Sequence, residues 1–169
     1  MPIRTLCDIV SRLEKGPVKR DFLRYKSKGE WRDISTTDFV STVRALSLGL
    51  QAAGVNAGDR VALLSENRPE WVAFDQALLN LGAVVVPLYP SLLTEQIRFI
   101  LEHSGSRTLV VSNELQLTKV MPALGSLPGL SRLVLLDPPP EMPTQALACT
   151  ALVSEGEAVH RSDPFRFDS

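Results

Sequence analysis

Several signatures of nucleotide and acyl-transfer chemistry are missing from this sequence. It has no Gly-x-x-x-x-Gly-Lys-Ser/Thr phosphate loop, no Gly-x-Gly-x-x-Gly dinucleotide fingerprint and no Gly-x-Ser-x-Gly nucleophile elbow. Histidine and cysteine are scarce, with two of each. His160 has no Cys, His or carboxylate companion at ligand spacing, and the two cysteines lie outside any paired metal spacing, so no metal centre is expected. Cys7 and Cys149 lie far apart and read as free thiols in a reducing compartment. No apolar run approaches the ~20 residues that a membrane-spanning helix needs. The start, MPIRTLCDIVSRLEKG, lacks a basic segment leading into an apolar core and a small-residue cleavage site. A cytoplasmic protein, at most peripheral to a membrane, is therefore expected. The net charge of −1, with no dense run of Lys and Arg, gives no reason to expect nucleic acid or an anionic membrane as the main partner.

What is present is organised around residues 58–90, GDRVALLSENRPEWVAFDQALLNLGAVVVPLYP. The apolar run 60–64 starts after the turn pair Gly58-Asp59 and stops at Ser65-Glu66-Asn67, which predicts a buried strand. A helix follows. Asn67 is placed to cap it, Pro69 falls in the first turn where a missing N–H costs little, and Glu70 suits the positive end of the dipole. Trp71, Phe74, Leu78 and Leu81 recur at helical spacing, and Gly82 can end the helix in a left-handed conformation. Residues 83–87 are apolar throughout and predict a strand covered on both faces. Strand, helix and strand in so short a span make a right-handed parallel crossover.

The same alternation continues on either side. Residues 5–13 predict a short helix with Leu6, Ile9, Val10 and Leu13 on one face. Residues 22–26 and 31–34 flank Ser27-Lys28-Gly29-Glu30 as a β-hairpin, with two readings of Trp31, a side chain facing a ligand and, the favoured one, a packing anchor. Ser35 and Asp38 approximate a capping box for a long helix to about Ala53, with Phe39, Val43, Leu46 and Leu50 inward and Gly54 as its stop. Beyond Pro90, residues 91–95 open a helix that buries Leu93, Ile97, Ile100 and Leu101 and ends at Gly105. Residues 108–111 form a strand and residues 113–124 a helix with the stripe Leu117, Val120, Met121 and Leu124, limited by Pro122. Residues 133–136 form a further strand. Residues 138–143 read as a rigid connection, 144–153 as one helix ending near Gly156, and 157–169 as a polar tail. The fold class is α/β, an open and mainly parallel sheet with helices on both faces and a β-hairpin near the N-terminus.

In such a sheet ligands bind beyond the carboxyl ends of the strands. That puts Ser65-Glu66-Asn67 and Tyr89-Pro90-Ser91 on the rim, with the carboxylates of Glu66, Glu70 and Asp75 around it. The competing reading is helix capping by Asn67 and Ser91, and nothing in either tripeptide specifies a reaction. His103, beside Glu102 near a helix C-terminus, suits a capping or surface role.

Taken together, Gly54-Val55, Gly58-Asp59-Arg60-Val61-Ala62, Asn67-Arg68-Pro69-Glu70-Trp71 and Gly82-Ala83-Val84-Val85-Val86-Pro87-Leu88-Tyr89-Pro90 resemble the N-terminal part of the adenylate-forming (AMP-binding) superfamily, and within it the long-chain fatty-acid CoA ligases. The likeness continues through Glu95-Gln96-Ile97, His103-Ser104 and Thr108-Leu109-Val110-Val111. It implies ATP-dependent activation of a fatty acid to an acyl-adenylate with release of pyrophosphate, then displacement of AMP by coenzyme A, with Mg2+ neutralising phosphate charge. The family's phosphate-binding loop, adenine and ribose motifs and catalytic lysine have no counterpart in residues 1–169, so no catalytic, cofactor-binding or metal residue is assigned. Residues 1–137 are expected to form an N-terminal α/β subdomain. Residues 138–169 are expected to be a Pro-rich connection, short helix and tail leading towards the missing loop. ATP, CoA and Mg2+ then belong to the full-length enzyme, and this chain is expected to be inactive alone and to self-associate through an exposed edge or apolar face. Two other readings stay open, a stand-alone scaffold or interaction protein and a flavodoxin-like small-ligand domain.

Overall fold

The computed structural model describes residues 4–127, 129–164 and 166–167. Phe165, Asp168 and Ser169 of the expected polar tail, and the first three residues of the N-terminal reading, lie outside the described residues. Helix α1 (Asp8–Lys15) leads into a separate antiparallel hairpin, β1 (Leu23–Ser27) and β2 (Glu30–Ile34). Then come α2 (Thr36–Ala52), β3 (Arg60–Leu64), α3 (Pro69–Asn80), β4 (Val84–Leu88), α4 (Thr94–Ser104), β5 (Thr108–Val111), α5 (Glu114–Leu124), β6 (Arg132–Leu135), β7 (Ala146–Ala148) and α6 (Cys149–Ser162). The five later strands form one parallel sheet in the order β4-β3-β5-β6-β7.

The period-2 pleat divides the core. Val61, Leu63, Val110 and Val134 face a cluster that includes Val10, Phe39, Val43, Leu46, Leu50, Phe74, Leu78 and Leu152, from α1, α2, α3 and α6. Ala62, Leu64, Leu109, Val111, Leu133 and Leu135 face Ile97, Leu101, Leu117 and Val120, from α4 and α5. The chain steps outward from β3 to β4 and then back past β3 to β5, so α3 and α4 lie on opposite faces. Glycine marks the turns: Gly54, Gly82 and Gly105 take φ of 85°, 70° and 63°.

Several expectations change. The strand over residues 84–88 packs on both faces as expected, Val85 against the first cluster and Val86 and Leu88 against the second, but it lies at the sheet's edge, where Val84 is 50% exposed. Pro87 explains the placement. Val84 N–H bonds Asp59 O at 2.8 Å, and by alternation residues 85 and 87 point outward, where proline has no donor to offer a further strand. Asn67 is exposed and does not cap α3; Arg68 is the N-cap residue and makes no side-chain cap bond. Ser91 does not cap α4 either; that helix starts after Leu93, whose N–H is accepted by Gln96 Oε1 at 3.0 Å. Leu93, Leu6 and Met121, read as inward, are exposed because each falls at or beyond the margin of its helix's apolar stripe.

The largest change is in residues 144–162. Instead of one helix there is a strand, β7, paired in parallel with β6, and then a helix of 14 residues. Gly156 lies inside that helix. A Cβ there would stand 1.8 Å from Ala45 O, and one on Gly49 of α2 would stand 2.1 Å from Leu152 O. The two helices therefore cross backbone to backbone, and glycine in mid-helix, worth about 1 kcal/mol less than alanine in propensity, is retained for close approach.

Candidate functional site

The order β4-β3-β5 reverses the direction of sheet growth, so the topological switch point lies between the carboxyl ends of β3 and β5. Glu66, two residues past β3, reaches into it. Ser112 Oγ donates to Glu66 Oε2 at 2.6 Å, Asn113 Nδ2 to the same oxygen at 3.1 Å, and Gln116 Nε2 to Oε1 at 2.8 Å. Asn113 also caps α5, its Oδ1 accepting from Gln116 N–H at 3.1 Å. Burial alone would push the Glu66 carboxyl up. The hydrogen bonds from Ser112, its own backbone, Gln116 and Asn113 reverse that and hold its pKa at about 2. Gln116 is 2% exposed and its Oε1 has no partner. The amide cannot turn to relieve this, since its oxygen would then face the carboxylate.

On the other side of β3's end, Arg68 acts as a fork. Its Nε donates to Glu70 at 2.8 Å, and its two terminal nitrogens donate to the two Asp137 oxygens at 2.6 and 3.1 Å. The hydrogen bonds it donates to Asp137 and Glu70 outweigh partial burial and raise the guanidinium pKa above its ordinary value. This pair ties the start of α3 to the end of β6. Beside it, burial and the Glu70 charge push the Cys149 thiol up to about 11, so it is protonated and unreactive at neutral pH. Cys7 donates its thiol to Leu79 O at 3.2 Å; both cysteines are free. The Lys119 ammonium donates to Pro90 O and so fastens the loop after β4 to α5.

The expected rim residues therefore separate. Glu66 and Glu70 are both engaged, in two different networks. Asp75 lies half-buried on α3, its pKa raised by burial, and takes only a long 3.4 Å contact from Gln76. Tyr89 is exposed, and Ser65 is buried with its hydroxyl on Glu66 O at 2.9 Å. His103 stacks on Phe99 with 5.6 Å between centroids, at the C-terminus of α4 and thus at the opposite end of the sheet. His160 lines a groove between α2 and α6. Sequence reasoning missed Ser112, Asn113, Gln116 and Asp137. The available signal was the pair Ser112-Asn113 directly after a strand, with Asn113 three residues before Gln116 as in a capping box.

Chemically the rim is a brace. A base must accept a proton near the working pH, and Glu66 does so only near 2. A phosphate placed at the N-terminus of α5 would meet a fixed carboxylate, so the residues here do not fit an anionic cofactor. Among the described residues no group of three or more His, Cys, Asp or Glu is arranged to hold a metal ion. Nor is any described helix long and apolar enough to cross a membrane.

Comparison with known proteins bears on what the brace supports. The family model described as AMP-binding enzyme matches residues 11–165. A long-chain-fatty-acid–CoA ligase, FadD15, of Mycobacterium bovis is 39% identical over 102 residues, covering 60% of this chain and 17% of that protein. Fatty acyl-CoA synthetase A of Dictyostelium discoideum is 32% identical over 126 residues, covering 72% of this chain and 18% of its own length. Among solved structures, the anthranilate CoA ligase AuaEII in complex with anthranoyl-AMP superposes with a TM-score of 0.75 at 22% identity, over 91% of this chain and 29% of that one. The chain spans less than a fifth of the length of these two curated relatives.

Proposed function

The chain belongs to the AMP-binding enzyme family, and from that premise we propose that it supplies the N-terminal scaffold of an ATP-dependent long-chain fatty-acid CoA ligase and is inactive alone. In the reaction proposed for the whole enzyme, a fatty-acid carboxylate attacks the α-phosphate of ATP, pyrophosphate leaves, and the coenzyme A thiolate then displaces AMP from the acyl-adenylate. The groups that bind ATP, Mg2+ and coenzyme A are assigned to parts of the enzyme beyond these residues. The observation that carries the scaffold reading is the Glu66 network. The crevice where an α/β sheet usually takes its ligand is closed by the chain's own carboxylate, with three side-chain donors committed to it. The substrate class rests on the likeness to the mycobacterial and Dictyostelium proteins.

The test is palmitate-dependent release of pyrophosphate from ATP with Mg2+. The 169-residue chain is assayed alone and joined to the remaining segments of the mycobacterial relative. Activity is expected in the joined protein only. Turnover by the short chain would overturn the scaffold reading. Silence of a folded joined protein, beside an active parent ligase, would remove the ligase reading.

A further inference from the structure

The net charge of −1 conceals a segregation. Residues 15–32 carry seven of the eighteen Lys and Arg against two of the nineteen Asp and Glu. They form the end of α1, an exposed connection and most of the hairpin, which is a separate two-stranded sheet. The hairpin's base is packed through Leu23 and Ile34 at the core margin, and Tyr25 and Ser27 of β1 are half-buried. Its tip projects, turning through Lys28 and Gly29 at φ of 51° and 86°, the positive values of a tight two-residue turn. Lys26 stands directly across from Trp31, which is 66% exposed. The connection is pinned beside the hairpin's base, with Thr36 N–H on Lys19 O at 2.9 Å and Lys19 N–H on Thr36 Oγ1 at 3.1 Å. That holds Val18, 67% exposed, in a run where Lys19 and Arg20 are exposed as well.

We propose that this tip and connection dock the protein on an anionic lipid bilayer. The Trp31 indole lies at headgroup depth, while Lys19, Arg20, Lys26 and Lys28 meet lipid phosphates. Charge complementarity requires an anionic partner. The apolar side chains choose among anionic partners. An indole with an apolar body and one N–H donor suits a membrane interface. A single-stranded nucleic acid would draw on aromatic stacking, which an exposed valine cannot supply. A projecting tip with isolated apolar groups needs a surface that deforms around it, as lipid headgroups do.

The test uses the 169-residue chain with phosphatidylcholine vesicles, with and without phosphatidylglycerol. Co-sedimentation is expected only with the anionic vesicles, and it should weaken as salt is added. In a Trp71→Phe background, Trp31 is the sole tryptophan. Its emission should move to the blue on binding and be quenched by brominated acyl chains. If that variant does not fold, the same signal is read as the difference between the unmodified chain and Trp31→Ala. Lys26→Gln with Lys28→Gln should lower partitioning roughly 30-fold, and Trp31→Ala roughly tenfold, with unchanged circular dichroism. No binding at low salt, binding with unaltered Trp31 emission, or tighter binding to a single-stranded oligonucleotide than to the vesicles would each overturn the proposal.

Discussion

The two faces of the sheet are held by different means. On one, α2 and α6 touch backbone to backbone through Gly49 and Gly156. On the other, α4 and α5 reach the sheet through side chains such as Ile97, Leu101, Leu117 and Val120. The residues after β3 serve both. Glu66 fastens α5 on the second face, and Arg68 fastens α3 on the first by a salt bridge to Asp137. A backbone crossing tolerates no added atom, whereas side-chain packing and exposed ion pairs yield more gently. The mutational effects should follow that order.

Gly156→Val tests the crossing most severely, because the new side chain meets the Ala45 carbonyl rather than a movable group. A loss of about 3 kcal/mol or more is expected in urea unfolding; a gain in stability, as helix propensity alone would give, would show that the helices do not touch. Leu64→Ala on the second face should cost about 2–5 kcal/mol, while Val84→Ala at the half-exposed edge should cost less than about 1 kcal/mol. Equal losses would erase the distinction between centre and edge.

Glu66→Gln should cost about 1–3 kcal/mol at neutral pH, since it leaves donors without their charged acceptor. It also has a pH signature. A carboxyl whose folded pKa is about 2 lies below its unfolded value of about 4.3. Its stabilisation is therefore complete above the unfolded value and is lost as pH falls from about 4 towards 2. Gln should flatten that acid limb, and an unchanged limb would show that other groups govern it. Arg68→Lys keeps the charge but loses the fork; about 1 kcal/mol is expected from so exposed a pair. Pro87→Val should change stability by less than about 0.5 kcal/mol, yet restore an outward donor on β4. Its expected effect is stronger concentration-dependent association in sedimentation experiments, and a variant that associates no more than the parent chain would show that proline is not what guards this edge.

How far the sequence could be read depended on how local each feature's cause was. The alternation from residue 36 to residue 135 was legible because each apolar run and glycine reports its own neighbourhood; Gly82 and Gly105 sit at helix ends as their positions required. β7 was not. Ala-Leu-Ala has little strand preference and pairs because β6 presents an edge. In the rim, Glu66 stood out beside the strand, but its donors lie 46 to 50 residues away.

By itself the sequence determined the class of fold, the succession of strands and helices through the centre, and the likeness to adenylate-forming enzymes, since periodicity, turn residues and word order are all properties of short stretches. Only the tertiary structure decided that residues 84–88 are an edge, that Gly156 is a contact rather than a stop, and that Glu66 bonds Ser112, Asn113 and Gln116 at the switch point. Each of these depends on which distant segment arrives beside a residue, and the pattern of apolar and polar positions around that residue is the same whichever segment comes.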